Sequence, residues 1–581
     1  MRGGWIDEIS TQTGRLTFAA LVALGLVVTF TLLYSVGNPK LAFIEFRADR
    51  FDILKYSWNT LILFLLSIAI QFAFFFWGTM YVRRLSNFAK VALILPFATG
   101  TIAPAIGLYT LFSSQIGPLN LSWLISDPMG SRLLIALIDA WQWTGVLLFL
   151  AFAFIERIPM SHFRQATLEG ISRLQQWKLI VLPIVWRVAG IYVAIKALDW
   201  IRKFEIIRVL FGKGGPGEDV ETFTLFAWTR YFDAGTQSYA SLLALAQVLI
   251  LLICVIVAFR ISPIPNDIGR IWRTESTKPG MHLGERIFWW ILSFTLIVPV
   301  LWLVSMSLQP SDVIYSGGFK LVPRSVTAEN YLQFTLWNNA NFFWDYVVSV
   351  IFYGVTTACA MLFALNETYQ LAIHSNRQRE RRHFAAVIGV FFLPTFAVFS
   401  AVELLNQWTS FQLDIPALIT LSTVSSYALG FFAIYTAFKY GFHPRYEQLL
   451  LEFRSPALAF WTGIIRPQIW VVSVAAVMVF TTSWNELFLN DQWTSGCAWG
   501  PLCGWRPFAV VIGTALEQYT LKYSTIAAGA VISMVTPLLL GFLLYIFTRI
   551  PGALRGASCA LRDFIASPTN RNAIRKTFGD G

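Results

Sequence analysis

Residues 164–183 read RQATLEGISRLQQWKLIVLP, a polar stretch that separates two strongly apolar segments of the chain. The pattern predicts a short helix over Met160 to Trp177, with one apolar face at i, i+3 spacing formed by Leu168, Ile171 and Leu174. Gly170 inside such a helix costs about 1 kcal/mol relative to Ala. Its missing side chain indicates close approach of another backbone or a groove wall. We therefore expect a docking helix, the alternative being a solvated connector between spans.

The composition places the chain in a membrane. It has 581 residues, of which 56% are hydrophobic and 13% charged, whereas soluble proteins carry about 25% charged residues. A spanning helix needs roughly 20 apolar residues, and runs of that length recur along the whole chain. The sequence predicts an all-α, polytopic membrane protein with about twelve transmembrane helices.

The predicted spans form two sets of six, separated by a polar break. The first set is Leu16–Val36, Leu61–Val82, Val91–Phe112, Leu133–Ile155, Leu179–Leu198 and Tyr239–Phe259. The second set is Ile287–Met306, Tyr346–Leu365, Phe384–Val402, Ile415–Phe438, Ile464–Thr482 and Thr525–Phe547. We expect two homologous six-helix halves, residues 1–262 and 287–550, joined by a linker at 263–286 and followed by a tail at 551–581.

Lys and Arg are distributed unevenly between alternate loops. Most of the 44 Lys and Arg residues lie in the two termini, the linker and the loops on that side of the predicted bundle, and positive loops stay in the cytoplasm. We expect both termini, the linker and the 164–183 loop to be cytoplasmic, in a multi-pass protein of a bacterial-type inner membrane. The net charge of +12 follows from this asymmetry and does not indicate nucleic-acid binding.

The sequence carries no motif for catalysis or nucleotide hydrolysis. It contains no GxxxxGK[ST], HExxH or CxxC pattern, and FGKGGPGED around Lys213 has neither the spacing nor the Ser or Thr of a phosphate loop. We expect a protein that is not an enzyme, with no catalytic residues, no metal site and no directly bound cofactor. If ATP drives transport, a separate polypeptide must hydrolyse it.

The 164–183 stretch resembles the cytoplasmic loop of the permease subunits of type I, binding-protein-dependent ABC importers, the kind that includes the maltose and glycerol-phosphate systems. That loop reads approximately EAAxxDGAsxxqxFxxxxLP. In the family it forms the coupling helix, which docks in a groove of the ATP-binding subunit. The resemblance implies that role for Glu169, Gly170, Ser172, Gln175, Trp177 and Pro183.

The resemblance extends over most of the first half. WQWTGVLLFLAFAFIERIP from Trp141 and the external GKGGPGEDVET segment both follow sugar-permease patterns, as does TTSWNELFLN in the second half. Indole rings and amides suit a polyhydroxylated ligand, although an interfacial Trp belt is the alternative. The resemblance implies a substrate pathway or binding-protein contact at Trp141, Gln142, Trp143, Gly214, Gly215, Pro216, Trp484, Asn485 and Glu486.

The second half repeats the cytoplasmic loop only weakly, in HPRYEQLLLEFRSPALAFWTGIIRP. Phe453 stands where the family has glycine, so the two loops are expected to grip their ATP-binding subunits differently. The positions that fit the family pattern, and to which the resemblance gives a coupling role, are Glu447, Glu452, Ser455 and Phe460.

Two further groups of residues leave alternatives open. Cys497 and Cys503 lie in an external loop, where an oxidising compartment favours a disulfide. Lys196 and Asp199 are intramembrane charges, and are either functional or a salt bridge that anchors the helix. Asp139 and Glu403 are the carboxylates that a secondary transporter with two parallel halves could use for ion coupling, and they are too sparse to favour that class.

These observations predict the permease of an ATP-driven ABC importer that translocates a sugar, polyol or similar hydroxylated solute. The expected partners are cytoplasmic ATP-binding subunits, two in number, which bind the ATP, an external solute-binding protein and the lipid bilayer, with no nucleic acid. One alternative is an ABC permease for another solute such as ferric iron. The other is a secondary transporter.

Overall fold

The computed structural model describes residues 39–81, 93, 96–97, 99–113, 119, 121–155, 158, 160–212, 214–232, 236–261, 283–315, 322–323, 325–337, 342–374, 419, 422–423, 426–435, 469–485 and 523–543. Helices dominate these residues, which contain no β-strand. The predicted all-α class is therefore confirmed. The count of twelve spans stays a prediction, because Leu16–Val36 and Phe384–Val402 lie outside the described residues.

Eleven helices cover the part before the linker. They are α1 Pro39–Ala48, α2 Arg50–Tyr81, α3 Ile102–Phe112, α4 Trp123–Ser126, α5 Pro128–Ile155, α6 Met160–Leu168, α7 Arg173–Gln176, α8 Leu182–Arg202, α9 Glu205–Phe211, α10 Phe223–Phe232 and α11 Gln237–Ile261. A π-helical turn, Trp177–Val181, joins α7 to α8, and a 3₁₀ turn occupies Pro216–Glu218. The counts refer to the described ranges alone.

Further helices are described from Leu283 onward, so the first of them begins inside the predicted 263–286 linker. They are α12 Leu283–Ser307, α13 Ser311–Tyr315, α14 Glu329–Trp337, α15 Phe342–His374, α16 Ser426–Tyr435, α17 Ile469–Trp484 and α18 Tyr523–Leu543. Within the described residues, five helices are long and apolar enough to cross a bilayer: Arg50–Tyr81, Pro128–Phe149, Arg286–Ser307, Phe343–Tyr369 and Tyr523–Leu543.

The third predicted span, Val91–Phe112, is not one continuous helix. The helical residues Leu93, Pro96 and Phe97 are followed by a turn at Thr99 and Gly100, and α3 starts afresh at Ile102. Gly100 has φ +78°, a left-handed conformation that breaks a right-handed helix and that glycine adopts without steric cost. The prediction of a single helix was wrong at this point.

Packing brings α12 into contact with helices that precede it in the chain. Among those earlier helices α5 contacts both α2 and α8, while α12 packs on α2 and α3. Trp302 of α12 is fully buried and donates its Nε1–H to Thr110 Oγ1 of α3, at 2.9 Å. Gly107 of α3 permits this approach, because a Cβ there would lie 3.1 Å from the Pro299 carbonyl oxygen.

Candidate functional site

The predicted docking helix is two short helices joined by a tight turn. α6 ends in a Schellman motif: Ile171 N–H donates to the Ala166 carbonyl at 2.9 Å, and Gly170 N–H donates to the Thr167 carbonyl at 3.1 Å. Gly170 has φ +74°. The expectation of one helix through Gly170 was therefore wrong. Glycine stands here because the turn requires a positive φ, and a Cβ at this position would meet no described atom within 4 Å.

The second helix, α7, is held by its own polar side chains. Ser172 and Gln175 form a reciprocal capping box, with Ser172 N–H donating to Gln175 Oε1 at 3.0 Å. The buried Gln176 amide donates to Thr167 Oγ1 at 3.1 Å and to the Ile171 carbonyl at 3.0 Å. These bonds give the segment a fixed shape without help from any other helix.

The segment is anchored at one end and exposed at the other. Trp177 donates its Nε1–H to Thr79 Oγ1 of α2 at 3.2 Å and packs edge-on against Phe76. In contrast, Leu168 is 89% exposed, and Glu169, Gly170, Ser172 and Gln175 are exposed with it. Pro183 is also exposed, in the first turn of α8. We call residues 160–176 the 160–176 segment. No described residue covers its apolar tip at Leu168.

Trp141, Gln142 and Trp143 are buried inside the bundle. Trp141 is 5% exposed and donates its Nε1–H to the Thr295 carbonyl of α12 at 2.9 Å, which links α5 to α12. The Trp143 ring packs against Phe97, with centroids 5.1 Å apart. The interfacial-belt alternative does not hold for these two indoles, because neither faces the outside of the bundle.

A cluster of four buried charges lies one turn from these residues. Lys196 Nζ lies 2.9 Å from Asp139 Oδ1 and 2.7 Å from Asp199 Oδ2. Lys203 pairs with both carboxylates as well, contacting Asp139 and lying 3.4 Å from Asp199. The Trp143 ring covers Lys196, with Nζ 4.3 Å from its centroid. The cluster is neutral overall. The contact between Lys196 and Asp199, one of the two alternatives that the sequence left open, is present in it.

Polar side chains of α2 complete the cluster. Asp139 Oδ2 accepts hydrogen bonds from Ser67 Oγ and, at 3.2 Å, from Gln71 Nε2. Tyr192 of α8 donates its hydroxyl to Gln71 Oε1. Sequence reasoning missed Lys203, Ser67 and Gln71. The polar pair at i, i+4 inside an otherwise apolar span was the available signal for the last two.

Gly214, Gly215 and Pro216 build a turn that docks on α2. Gly215 has φ +72°, and Pro216 opens the 3₁₀ turn that follows. Tyr56 of α2 donates its hydroxyl to Glu218 Oε2 at 2.9 Å, and Asn59 donates to the Glu218 carbonyl at 3.3 Å. These hydrogen bonds hold the tip of the loop against α2.

Glu221 lies in the same loop, outside the spans. Burial, with a smaller contribution from the Glu218 carboxylate, raises the pKa of the Glu221 carboxyl to about 7. The loop therefore holds a carboxyl group that titrates near neutral pH.

The Trp484–Asn485 pair lies at the end of α17, beside the broken third span. Trp484 is fully buried, packs edge-on against Tyr353 and donates its Nε1–H to Ser533 Oγ at 2.9 Å. Its ring packs inside the described part of the bundle, and the role in the pathway or in binding-protein contact stays a prediction. The Asn485 side chain lies against Gly100 of the broken span, where a Cβ would come 2.7 Å from Asn485 Cγ.

The remaining predicted residues lie outside the described ranges, and their roles stay predictions: Glu447, Glu452, Ser455, Phe460, Glu486, Cys497 and Cys503. The same is true of Glu403. Among the residues that are described, no group of three or more His, Cys, Asp or Glu side chains could hold a metal ion.

Comparison with known proteins agrees with the family resemblance. No protein-family model matches the chain. It is 26% identical over 188 residues to the trehalose/maltose transport system permease protein MalF of Thermococcus litoralis, a match covering 31% of this chain and 63% of that protein. It is 21% identical over 239 residues to the arabinooligosaccharides transport system permease protein AraP of Bacillus subtilis, covering 39% and 74% respectively.

A third relative is matched along almost its whole length. The trehalose transport system permease protein SugB of Mycobacterium tuberculosis is 25% identical over 286 residues, which cover 47% of this chain and 98% of that protein. The homologues of this chain are thus permeases of sugar ABC transporters, and the chain is a multi-pass membrane protein like them.

Proposed function

We propose that the chain is the membrane-spanning permease of an ATP-driven importer for a sugar, polyol or similar hydroxylated solute. The observation that carries the proposal is the similarity to permeases named for trehalose, maltose and arabinooligosaccharide transport. The same similarity favours a sugar over ferric iron. It also favours ATP-driven import over secondary transport, and the described intramembrane Asp139 is already paired with two lysines.

The proposal includes two fused halves. SugB is matched over 98% of its length by 47% of this chain, so it is about half as long as this chain. This ratio supports the assignment of one permease unit to residues 1–262 and another to residues 287–550. The two halves would then form the complete pathway, with both termini cytoplasmic and residues 263–286 as the connecting linker. Two separate ATP-binding subunits bind and hydrolyse the ATP, and an external solute-binding protein delivers the solute.

The 160–176 segment is the proposed contact with one ATP-binding subunit. Its internal capping bonds give it a rigid shape, and the exposed Leu168 gives it an apolar tip that would be buried in a complementary groove. Glu169 and Gly170 lie at that tip. The segment can transmit a displacement to α2 and α8, because Trp177 ties it to the former and the π-helical turn runs into the latter.

Uptake by the native cells tests the function. A strain lacking this gene is compared with its complemented parent for uptake of radiolabelled trehalose, maltose and lactose, with ⁵⁵Fe as ferric citrate measuring the alternative cargo. Loss of sugar uptake with unchanged iron uptake is expected. Uptake should fail on ATP depletion and persist when ionophores collapse the ion gradients. Loss of iron uptake alone, or ionophore-sensitive sugar uptake, would overturn the proposal.

A further inference from the structure

The break in the third predicted span places the start of a helix inside the bundle. Thr99 and Gly100 are buried, and α3 starts at Ile102 with Thr101 as its N-cap residue. The Thr101 side chain makes no capping hydrogen bond. The N–H groups of a first helical turn have no carbonyl within their own helix to bind. Non-helical backbone at membrane depth occurs where it is buried in protein or lines a cavity.

Two side-chain amides border this break from opposite halves of the chain. Gln142 of α5 is 5% exposed and donates its Nε2–H to Thr101 Oγ1 at 3.1 Å, while its Oε1 has no hydrogen-bond partner among the described residues. Asn485 of α17 donates its Nδ2–H to the Thr481 carbonyl at 2.7 Å. The Asn485 Oδ1 atom is likewise buried without a described partner, beside Gly100.

The helix N–H groups and amide oxygens at the break determine which class of ligand can bind there. An anion would meet helix N–H donors but also two amide oxygens that repel it, and a cation would meet the positive end of the α3 dipole. A hydroxyl group both donates and accepts, so it can bind an amide oxygen and a helix N–H together. Leaving a buried amide oxygen unpaired is costly, which makes a ligand or a water molecule the expected occupant.

We propose that Gln142, Asn485 and the Gly100–Ile102 turn form a subsite for a hydroxyl group of a neutral sugar or polyol, shared between the two halves of the chain. This inference rests on the proposed function and deepens it. It names the point in the pathway where both halves contact the solute, and it excludes a charged group at that point. The subsite would assemble only when α5, α17 and the broken span meet.

The test compares matched substitutions in the complemented strain. Gln142→Met keeps the length of the side chain and removes both the unpartnered Oε1 and the Nε2 that binds Thr101. Gln247→Met is the control, because Gln247 is also buried with an unpartnered Oε1 but lies on α11, bonded to Thr224. Both proteins are first compared by membrane abundance and by melting temperature in detergent. We expect Gln142→Met to raise KM for the transported sugar about three- to tenfold, as for one lost hydrogen bond, and Gln247→Met to leave it unchanged.

Deoxy sugars then distinguish a solute hydroxyl from a bound water. The wild type should discriminate against one monodeoxy analogue of the transported sugar, and Gln142→Met should not. Unchanged KM in Gln142→Met, or equal discrimination by both proteins, would mean that the amide oxygens hold only water and would overturn the subsite alone. If trehalose 6-phosphate competes with sugar uptake more strongly than trehalose does, the conclusion that the subsite binds a neutral solute would be overturned. If deletion of the gene abolishes iron uptake alone, the proposed function fails and the subsite with it.

Discussion

Removing one charge from the buried cluster should destabilise the protein far more than removing a balanced pair. Asp139 and Lys196 have fully buried side chains and lie 2.9 Å apart. Asp139→Asn leaves two lysines against the single carboxylate of Asp199, so one positive charge remains uncompensated in the bundle. Breaking a buried ion pair in this way costs about 3 to 5 kcal/mol, whereas exchanging the whole pair for neutral groups is often close to neutral.

The balanced variant combines Asp139→Asn with Lys196→Met. It keeps Lys203 and Asp199, which lie 3.4 Å apart, so the cluster stays neutral. Each single variant should lose about 3 to 5 kcal/mol of unfolding free energy, and the double variant should lose less than either. The Met side chain retains the apolar contact with the Trp143 ring, although the cation–π attraction, about 0.5 to 2 kcal/mol, is lost.

Equilibrium unfolding in mixed detergent micelles, titrated with sodium dodecyl sulfate, measures these differences for the four proteins of the cycle. The coupling free energy between the two positions should be at least about 2 kcal/mol. Additive losses would refute the reasoning, since they would mean that the two side chains stabilise the bundle independently of their mutual charge balance.

Three further perturbations test other parts of the molecule. Gly170→Ala should weaken ATP hydrolysis by the assembled importer more than Gly170→Asn does. The turn holds Gly170 at φ +74°. A left-handed conformation costs an ordinary residue about 1 to 2 kcal/mol, whereas Asn tolerates it. Equal activities would show that the Schellman turn does not limit coupling. Glu221 has a pKa raised from 4.5 to about 7, so the folded state binds more protons than the unfolded state between these values and its stability should fall as pH rises through that window. Glu221→Gln should flatten this part of the melting-temperature profile against pH, and an unaltered profile would contradict the assignment. Trp484→Ala should lower the melting temperature strongly, because it empties a fully buried site and such changes cost about 3 to 5 kcal/mol. A stable Trp484→Ala protein with impaired uptake would instead restore a direct role in transport.

The sequence predicted the helical class and most described spans because a bilayer permits few alternatives to long apolar helices. It did not predict the break at Gly100. A single glycine in an apolar run is compatible with a continuous helix, and the contact that accompanies the break comes from Asn485, several hundred residues away. A left-handed glycine held by a long-range contact leaves no local pattern to recognise.

The turn at Gly170 could have been predicted from the sequence, because two local signals for it are present. Glycine at the end of an apolar-periodic stretch is typical of a helix C′ position, and Ser172 with Gln175 has the spacing of a capping box. Both signals predict a stop and a restart. The argument for docking from the missing side chain of Gly170 is thereby lost, because the turn itself requires glycine. The docking interpretation stays a prediction, supported now by the exposed Leu168.

The charge cluster and the broken span meet on one face of α5. Asp139, Gln142 and Trp143 follow each other at i, i+3 and i+4, so their side chains project from the same side of this helix. Asp139 is bound by Lys196 of α8, by Lys203 just after that helix and by polar groups of α2, and the Trp143 ring contacts both Lys196 and Phe97. These contacts hold α5 against rotation about its axis, and Gln142, between them, keeps its amide at Thr101. A buried cluster of four charges is a costly way to stabilise a helix pair. The proposed subsite would give this cost a purpose, because the cluster holds α5 so that the Gln142 nitrogen stays at Thr101 while its oxygen has no described partner.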